Sequence, residues 1–238
     1  MELWSDSWTN GDRIPARYAA GRPDGQGAAT FSDNLNPHLA WSDLPAGAQS
    51  MVLIYHDFDV PSKGDDVNQA DREVPADLPR VDFFHWVLVD IPAAISSFAQ
   101  GEFSRGFTAR GKPGPATLHG ARHGLNDYTG WFAGNAEMAG SYFGYDGPFP
   151  PFNDSLVHHY VFTLYALGVA RAPVEGTFTG AQVRDAMPGL DLVDAGALDL
   201  DRHKALGVGG EGLGRGLGVG AVLEVADDQG RLLGAIDI

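Results

Sequence analysis

The sequence predicts a mainly β fold, and three observations support this prediction. The 32 glycines and 15 prolines are spread along the 238 residues and divide the chain into apolar segments that are rarely long enough for a helix. Several of these segments are rich in β-branched and aromatic residues and end at turn formers, as strands do. Only one segment carries a clear helix signal. A chain of this length can bury one sizeable core, so we expect one main domain.

The predicted elements follow in chain order. Weak strands are expected at three places: Thr30–Phe31, Leu39–Trp41 and Thr177–Phe178. Stronger strands, with apolar residues on both faces and therefore central in a sheet, are expected at three others: Met51–His56, Phe84–Ile91 and Val157–Leu167. A short helix should begin after Thr179, whose side chain can cap its N-terminus, and end at Met187, because Pro188 prevents continuation.

Two long irregular stretches and an unusual C-terminal segment complete the organisation. Residues 62–82 and 99–150 are rich in Gly, Pro, Asp and Asn, and loops of that length are usually functional or mobile. Beyond Pro188, glycines crowd between residues 207 and 220, a composition typical of a flexible linker. We therefore predict a domain at residues 1–187 and a mobile Gly-rich tail at residues 188–238. A changed reading frame near the end of the gene would produce such a tail.

Charge and composition exclude several classes of protein. The formal net charge of −15 would repel the phosphate backbone of a nucleic acid. The longest apolar runs stop well short of the roughly 20 residues that a transmembrane helix needs. The chain contains no cysteine, which excludes disulfides, thiolate zinc sites and thiol nucleophiles. The first residues show no secretory signal, and we expect a cytoplasmic protein.

Two aspartates follow the first central strand and suggest a site at its end. Asp57 and Asp59 are two residues apart and point the same way if the strand continues, although Asp is equally common in a plain surface turn. Paired carboxylates at a strand end would accept hydrogen bonds from a ligand or hold a cation.

Histidines occupy the other two central strands. Alternation places the His85 side chain on one face with Val87, Val89 and Ile91, where a hydrogen-bonded core histidine is the more common interpretation. His158 should share a face with Tyr160, whereas His159 should point to the opposite face.

The two aspartates and two histidines together allow two kinds of site. They could hold a divalent metal ion with an open position for hydrolysis. Alternatively, the imidazoles and nearby backbone N–H groups could hold a small anion, with the carboxylates accepting hydrogen bonds from its protonated oxygens. The rigid turn Gly147–Pro151 then forms a pocket wall or a plain surface turn.

Two further patterns carry little weight. Residues 207–212 match the spacing G-x-G-x-x-G, but no strand precedes them and no helix follows, as a dinucleotide site would require. His119 and His123 have the spacing of metal ligands on a helix, but the glycines around them make a helix improbable.

Four motifs, taken in order, resemble the phosphatidylethanolamine-binding protein family, and the resemblance is closest to its bacterial branch of Raf-kinase-inhibitor-like proteins. It runs from about residue 10 to about residue 187 and rests on these segments: Asn34-Leu-Asn-Pro-His-Leu-Ala-Trp41, Asp57-Phe-Asp-Val-Pro61, Phe84-His-Trp-Val-Leu-Val-Asp-Ile-Pro92, and Gly147-Pro-Phe-Pro-Pro151 leading to His158-His-Tyr-Val-Phe-Thr-Leu-Tyr-Ala-Leu167.

The resemblance implies a large central antiparallel sheet packed on a smaller sheet, with few short helices. It also implies a small pocket for phosphate-like anions or phosphoethanolamine head groups. Carried over position by position, the ligand-binding residues would be Asp57, Asp59, Pro61, His85, the backbone of Gly147 and Phe149, His158 and Tyr160. The family's His-Arg-Tyr pattern selects His158 over His159.

The chain also departs from the family pattern at several positions. Phe58 replaces the proline between the two aspartates, and Asn36 replaces a serine. Arg80 and Phe83 stand where animal members carry Tyr and Trp at the pocket rim. Nothing after Pro188 resembles the family's usual ending, so a sheet edge could be left open to pair with another chain, for example in a homodimer.

The function that we predict from these residues is non-enzymatic binding of a small anionic or phosphorylated ligand, without a cofactor. Asp57 and Asp59 would repel a fully ionised phosphate, so binding needs a shared proton, charged imidazoles or an ammonium group on the ligand, which Phe58 or Phe83 could contact. A hydrolase or metal-dependent enzyme on the same cluster is the alternative. A regulatory role through a protein partner such as a kinase rests on the resemblance alone, and the sequence names no partner.

Overall fold

We analysed a computed structural model of the chain, which describes residues 1–24 and 29–187 and a strand at residues 220–226. These residues form ten strands: β1 (Glu2–Trp4), β2 (Gly21–Pro23), β3 (Ala29–Phe31), β4 (Leu39–Ser42), β5 (Ser50–Pro61), β6 (Arg80–Pro92), β7 (Ser97–Phe98), β8 (Arg122–His123), β9 (His159–Leu167) and β10 (Gly220–Ala226). They also form the helices α1 (Tyr128–Trp131) and α2 (Gly180–Ala186), and two 3-10 helices at Ala16–Tyr18 and Leu118–Gly120.

The central sheet is antiparallel and has the strand order β10-β9-β5-β6-β8. Its three middle strands are the three strong strands that the sequence predicts. Consecutive residues of β5 and β6, such as Val52 and Leu53, are fully buried but belong to core clusters on opposite faces. The middle strands are therefore covered on both faces, which explains why their sequences are continuously apolar.

Each face of the central sheet packs against a different layer. On one face, Trp41 and Phe98 of the three-stranded sheet β1-β4-β7 share a core cluster with Leu53 of β5. On the other face, Val183 of α2 and the preceding Phe178 pack against the central strands. The predicted mainly β architecture, with a larger and a smaller antiparallel sheet and few short helices, is confirmed.

The helix near residue 180 is also confirmed, together with its cap. The Thr179 hydroxyl accepts a hydrogen bond from the Gln182 backbone, and the Gln182 side chain accepts one from the Thr179 backbone, which forms a capping box. None of the helices in the described part of the chain is long and apolar enough to cross a membrane.

The weak strand predicted at Thr177–Phe178 is wrong. Phe178 is buried, but its burial comes from packing against the central sheet and not from strand pairing. The single β-bridge in this region joins Thr179 to Leu125, directly before α2 begins. Phe178 thus supplies a core contact just before the chain turns into a helix, whereas Thr177 is exposed.

Three irregularities interrupt the pairing of β5 with β6, and two of them shape the site described below. One lies between the pairs Tyr55–Trp86 and His56–Phe84, so that His85 is an extra residue on β6. Another lies between the pairs Asp57–Phe83 and Val60–Val81, so that β5 carries one residue more than β6. Such bulges break the alternation of side chains along a strand and turn them to new directions.

The long stretch at residues 99–150 contains little regular structure, and the buried carboxylate of Asp146 holds its end in place. This carboxylate accepts hydrogen bonds from the side chains of Asn34 and Asn126, at 2.7 and 2.8 Å, and from the ammonium group of Lys112. The Asp146 backbone N–H also donates to the carbonyl of His85. One residue therefore joins four segments that are distant in sequence.

Strand β10 pairs antiparallel with β9 and occupies the edge of the central sheet, which the sequence analysis had left open to a second chain. The other residues of the tail that we predict to be mobile, including the glycine run at residues 207–219, lie outside the described residues. Mobility of the tail and pairing into a homodimer stay predictions.

We expect the substitution Asp146→Asn to destabilise the fold strongly. A neutral amide would leave the Lys112 charge without its partner and would place an N–H group among three donors. Breaking a buried ion pair in this way typically costs about 3–5 kcal/mol.

Urea denaturation of the purified variant measures this loss in the free energy of unfolding. Asp71→Asn is the matched control, because the Asp71 side chain is 80% exposed and its loss should change stability by less than about 0.5 kcal/mol. Equal effects of the two substitutions would contradict the anchoring role of Asp146.

Candidate functional site

A cavity of about 510 Å³ opens at the end of the central sheet where β5, β6 and β9 lie side by side. Its inner end is polar and contains Asp57, His85 and His158. Its walls are largely aromatic and come from the strand ends, from α1 and the residues that follow it, and from the turn at residues 149–152. Polar and apolar regions are thus separated within one cavity.

Six of the eight residues that the sequence predicts for the site line this cavity: Asp57, Pro61, His85, Phe149, His158 and Tyr160. Asp59 and Gly147 do not line it. The structure therefore brings together residues from three strands and one turn, as the sequence analysis expected. Two of the predicted residues lie outside the cavity.

Asp59 lies in the bulge of β5 and does not point the same way as Asp57, contrary to the expectation from an extended strand. Its carboxylate accepts hydrogen bonds from the backbone N–H of His159 at 2.8 Å and makes a 2.7 Å contact with the His159 ring. His159 is 48% exposed and outside the cavity, as alternation predicts. Asp59 thus fixes the strand ends from the outer side.

Gly147 supports the site through its backbone without reaching the cavity. Its N–H donates to the Asn34 side chain at 2.8 Å, and its carbonyl accepts from the Tyr128 hydroxyl at 2.8 Å. A Cβ atom at this position would lie 2.0 Å from the carbonyl oxygen of Tyr18, so only glycine fits. Both polar backbone atoms of Gly147, one of the two residues whose backbone the sequence analysis offered to a ligand, are therefore already engaged.

His85 contacts a different set of residues from the one that alternation predicts. Because His85 is the extra residue of the β6 bulge, its ring packs near Tyr55 and Tyr160, whereas Val87 and Val89 lie in the core cluster on the opposite face. The bulge therefore directs the imidazole into the cavity.

The His85 ring is neutral and presents an acceptor. Its Nδ1 lies 2.8 Å from the Asp146 carbonyl, which can only accept, so Nδ1 carries the proton. Burial lowers the pKa of His85 to about 3, despite the opposing effect of that carbonyl. At neutral pH the remaining nitrogen, Nε2, is therefore unprotonated and can accept a hydrogen bond from a ligand.

His158 has the opposite protonation state. Its two ring nitrogens lie 2.6 Å from Asp57 and 3.1 Å from Asp154, so a neutral ring would face one carboxylate without a proton. Burial alone would lower the pKa of His158, but the two carboxylates outweigh it and raise the pKa to about 9. His158 is a fixed imidazolium whose N–H groups are both engaged.

Arg80 extends this network to four alternating charges. Its guanidinium makes two hydrogen bonds to the Asp154 carboxylate, at 2.5 and 3.0 Å. Burial would raise the pKa of Asp154, but hydrogen bonds from His158 and Arg80 hold it at about 2. The network of four side chains, Arg80–Asp154–His158–Asp57, therefore has no net charge. Neither of its two cations is free to neutralise an anionic ligand.

Asp57 completes the polar end of the cavity. One carboxylate oxygen accepts from the Asp59 backbone N–H at 2.7 Å, and the other accepts from His158. Burial raises the pKa of Asp57, and the hydrogen bond from His158 opposes this effect. Each oxygen keeps a second lone pair, so Asp57 and His85 together present hydrogen-bond acceptors to a ligand.

Aromatic side chains form most of the remaining wall. Phe83 packs within 5.1 Å of the Tyr128 ring in an edge-on arrangement, and both line the cavity. Trp131 lies at the rim and is 49% exposed. Of the two phenylalanines that the sequence offered as the aromatic face for a cation, Phe83 lines the cavity, whereas Phe58 is outside it and stacks on His159.

Sequence reasoning missed two kinds of residue. Asp154 holds the charged state of His158 but lies in an irregular segment with no motif that marks it. Tyr128 and Trp131 lie in the long stretch at residues 99–150, where the only available signal was the length of the loop. Arg80, which the sequence analysis named only as a departure from the pattern of animal members, is the ion-pair partner of Asp154.

The described residues contain no group of three or more His, Asp or Glu side chains arranged to hold a metal ion. The Asp57, His158 and Asp154 side chains are close together, but each carboxylate is hydrogen-bonded to one ring nitrogen of His158. Neither nitrogen is therefore free to bind a metal ion. His119 and His123 do not form a pair of helical ligands either, because they belong to a 3-10 helix and to β8.

Comparison with known proteins gives a consistent result. The family model described as phosphatidylethanolamine-binding protein matches residues 4–195. The UPF0098 protein YbhB of Escherichia coli (strain K12) is 30% identical over 183 residues, which are 77% of this chain and 88% of that protein. A UPF0098 protein of Methanothermobacter thermautotrophicus is 29% identical over 203 residues, which are 85% of this chain and 99% of the relative.

Two solved structures share the fold. One is a putative phosphatidylethanolamine-binding protein homolog, CT736, from Chlamydia trachomatis, with a TM-score of 0.54, 22% identity and coverage of 95% of this chain and 96% of that one. The other is E. coli YbcL, described as a new member of the mammalian PEBP family, with a TM-score of 0.58, 20% identity and coverage of 95% and 97%.

We expect the two cavity histidines to titrate at opposite ends of the pH range. The imidazole ¹⁵N resonances of His158 should report a fully protonated ring at pH 7 that loses its proton only near pH 9. Those of His85 should report a neutral ring with the proton on Nδ1, which gains a second proton only near pH 3. NMR titration of ¹⁵N-histidine-labelled protein measures both, and ordinary titration of either ring near pH 6.5 would contradict the assigned charges.

Proposed function

The chain belongs to the phosphatidylethanolamine-binding protein family, and from this premise we propose that it is a non-enzymatic protein that binds a small phosphorylated compound in the cavity. The observation that supports this proposal best is the polar end of the cavity, where Asp57 and the Nε2 atom of His85 both offer acceptors. A matching ligand must bring at least one donor. A singly protonated phosphate or an ammonium group meets this requirement.

The charges around the cavity favour the same ligand state. The two cations nearest the polar end, His158 and Arg80, are already paired with Asp57 and Asp154. No lysine or arginine is among the described residues that line the cavity. A doubly ionised phosphate would meet the Asp57 carboxylate without a compensating charge, so binding requires uptake of one proton by the ligand or by His85.

The aromatic walls set the second part of the ligand. A cavity of about 510 Å³ has the size of a small-molecule site and offers room beyond a phosphate group. Phe83 and Tyr128 present ring surfaces close to His85, which suits an ammonium group or an apolar substituent next to the head group. Phosphoethanolamine combines both features.

The arrangement gives little support to hydrolysis. The described residues that line the cavity include no serine or threonine to act as a nucleophile. His158, the basic group nearest Asp57, holds its proton between two carboxylates and is poorly suited to accept another. The enzyme alternative, a regulatory protein partner and a cytoplasmic location all stay predictions from the sequence.

The affinity for a phosphorylated ligand should rise as the pH falls through the second pKa of the phosphate, which lies near pH 6. For methyl phosphate, which has no ammonium group, the dissociation constant should increase about tenfold for each pH unit above that value, because one proton accompanies binding. Phosphoethanolamine should show a weaker dependence, since its ammonium group also supplies donors.

Isothermal titration calorimetry between pH 5.5 and pH 8.5, in buffers of different ionisation enthalpy, measures both the affinity and the proton uptake. An affinity for methyl phosphate that does not change with pH, without proton uptake, would contradict the proposed state of the ligand.

The substitutions His85→Ala and Asp57→Asn should each weaken phosphoethanolamine binding by roughly 1–3 kcal/mol, because each removes an acceptor that the ligand needs. His159→Ala is the control, since His159 lies outside the cavity and should leave the affinity unchanged. Thermal unfolding shows whether each variant is folded before calorimetry.

Unchanged affinity in both folded variants would show that phosphoethanolamine does not bind in this cavity. The same preparations should be incubated with p-nitrophenyl phosphate. Turnover by the wild-type chain that disappears in Asp57→Asn would replace the binding proposal with the hydrolase alternative.

A further inference from the structure

A second cavity of about 320 Å³ shares no lining residue with the site described above. It is bordered by the segments around Glu102 and Phe103, by residues 112–118, by His123 of β8 and by Phe143. We propose that this second cavity binds a small uncharged molecule with an apolar body and one hydrogen-bond-accepting oxygen, such as a carbonyl or amide oxygen.

The central feature of the second cavity is a buried imidazole with an unused donor. His123 is only 5% exposed, and its Nδ1 accepts a hydrogen bond from the indole N–H of Trp86 at 3.2 Å. Because an indole can only donate, Nδ1 must be unprotonated, and the proton lies on Nε2. The hydrogen bond from Trp86 is the only one that the His123 ring makes to the described residues.

The environment keeps His123 in this neutral form. Burial, together with the nearby charge of Lys112, lowers the pKa of His123 to about 3. The residue next to Nε2 is Gly144, where a Cβ atom would lie 3.3 Å from this nitrogen. Because glycine has no side chain, no Cβ atom covers Nε2 on that side. A ligand oxygen in the cavity would give this N–H group an acceptor.

Two further polar groups border the cavity. The Lys112 ammonium donates to the carbonyl of Tyr145 at 2.8 Å and to Asp146, which leaves its third proton available. The side-chain hydroxyl of Thr117 makes no hydrogen bond to the part of the chain that the structure describes. All three groups can donate to an oxygen atom.

The charges favour an uncharged ligand over an anion. Lys112 is already neutralised by Asp146, and His123 is neutral. Glu102, which also lines the cavity, accepts hydrogen bonds from the Ala99 backbone and lies 2.7 Å from the His119 ring. A carboxylate ligand would therefore meet Glu102 without a free cation to compensate.

Apolar side chains would hold the body of the ligand. Phe103 and Phe143 line the cavity, the Phe103 ring lies edge-on to His123, and Leu118 lies at the rim with 46% of its surface exposed. An apolar ring against the two phenylalanines, with its oxygen directed at His123, would use both parts of the lining. The site is separate from the first cavity, with which it shares no lining residue.

Benzamide is a suitable probe, because it combines an aromatic ring with an uncharged acceptor. NMR titration should show that benzamide shifts the imidazole ¹⁵N resonances of His123 but not those of His85, with a dissociation constant on the order of 1 mM for a ligand of this size. Intermolecular NOEs should connect its ring protons to Phe103 and Phe143. Toluene, which lacks the acceptor, and benzoate, which adds a charge, should each bind at least about fivefold more weakly.

Ala116→Phe should fill the cavity and weaken benzamide binding at least about tenfold, whereas Ala46→Phe, at an exposed turn, is the matched control. The NOEs test the site even if Ala116→Phe does not fold. NOEs to Phe83 and Tyr128 only would assign benzamide to the first cavity and overturn the proposal. No shift of the His123 resonances at several times the expected dissociation constant would also overturn it and indicate that water alone satisfies Nε2.

Discussion

The buried carboxylate of Asp146 is the interaction on which the rest of the structure depends. It accepts hydrogen bonds from Asn34, Asn126 and Lys112, and its backbone pairs with both the carbonyl and the ring of His85. Burial raises the pKa of Asp146, and the charge of Lys112 opposes that effect. The long, irregular stretch at residues 99–150 is thereby held against the central sheet by polar contacts, where it has few strand pairings to hold it.

The same anchor determines the chemistry of the first cavity. Because the Asp146 carbonyl accepts a hydrogen bond from Nδ1–H of His85, that ring can only accept at Nε2, and burial keeps it neutral. His158, which directly precedes β9 on the other side of β5, is charged because two carboxylates surround it. Two histidines in one cavity thus have opposite protonation states, and the difference comes from their partners and not from their residue type. The cavity as a whole favours a ligand that supplies a proton or an ammonium group.

Membership of the phosphatidylethanolamine-binding protein family accounts for the arrangement of strands. The ion pair of Arg80 and Asp154 supports the polar end of the cavity. In the described structure, Arg80 orders Asp154, and Asp154 fixes the charge of His158. Arg80 therefore stabilises the polar end of the cavity without lining it.

The sequence by itself determined the three central strands, the capped helix after Thr179 and six of the residues that line the cavity, because strand propensity, capping chemistry and short motifs are local properties. Only the tertiary structure decided the directions of Asp59 and His85, since each depends on a bulge that exists only when β5 pairs with β6. It also decided the role of Asp154 and the burial of Phe178 without strand pairing. Charge states and unused donors, such as Nε2 of His123, depend on which distant groups fold against a side chain, and no local pattern records that.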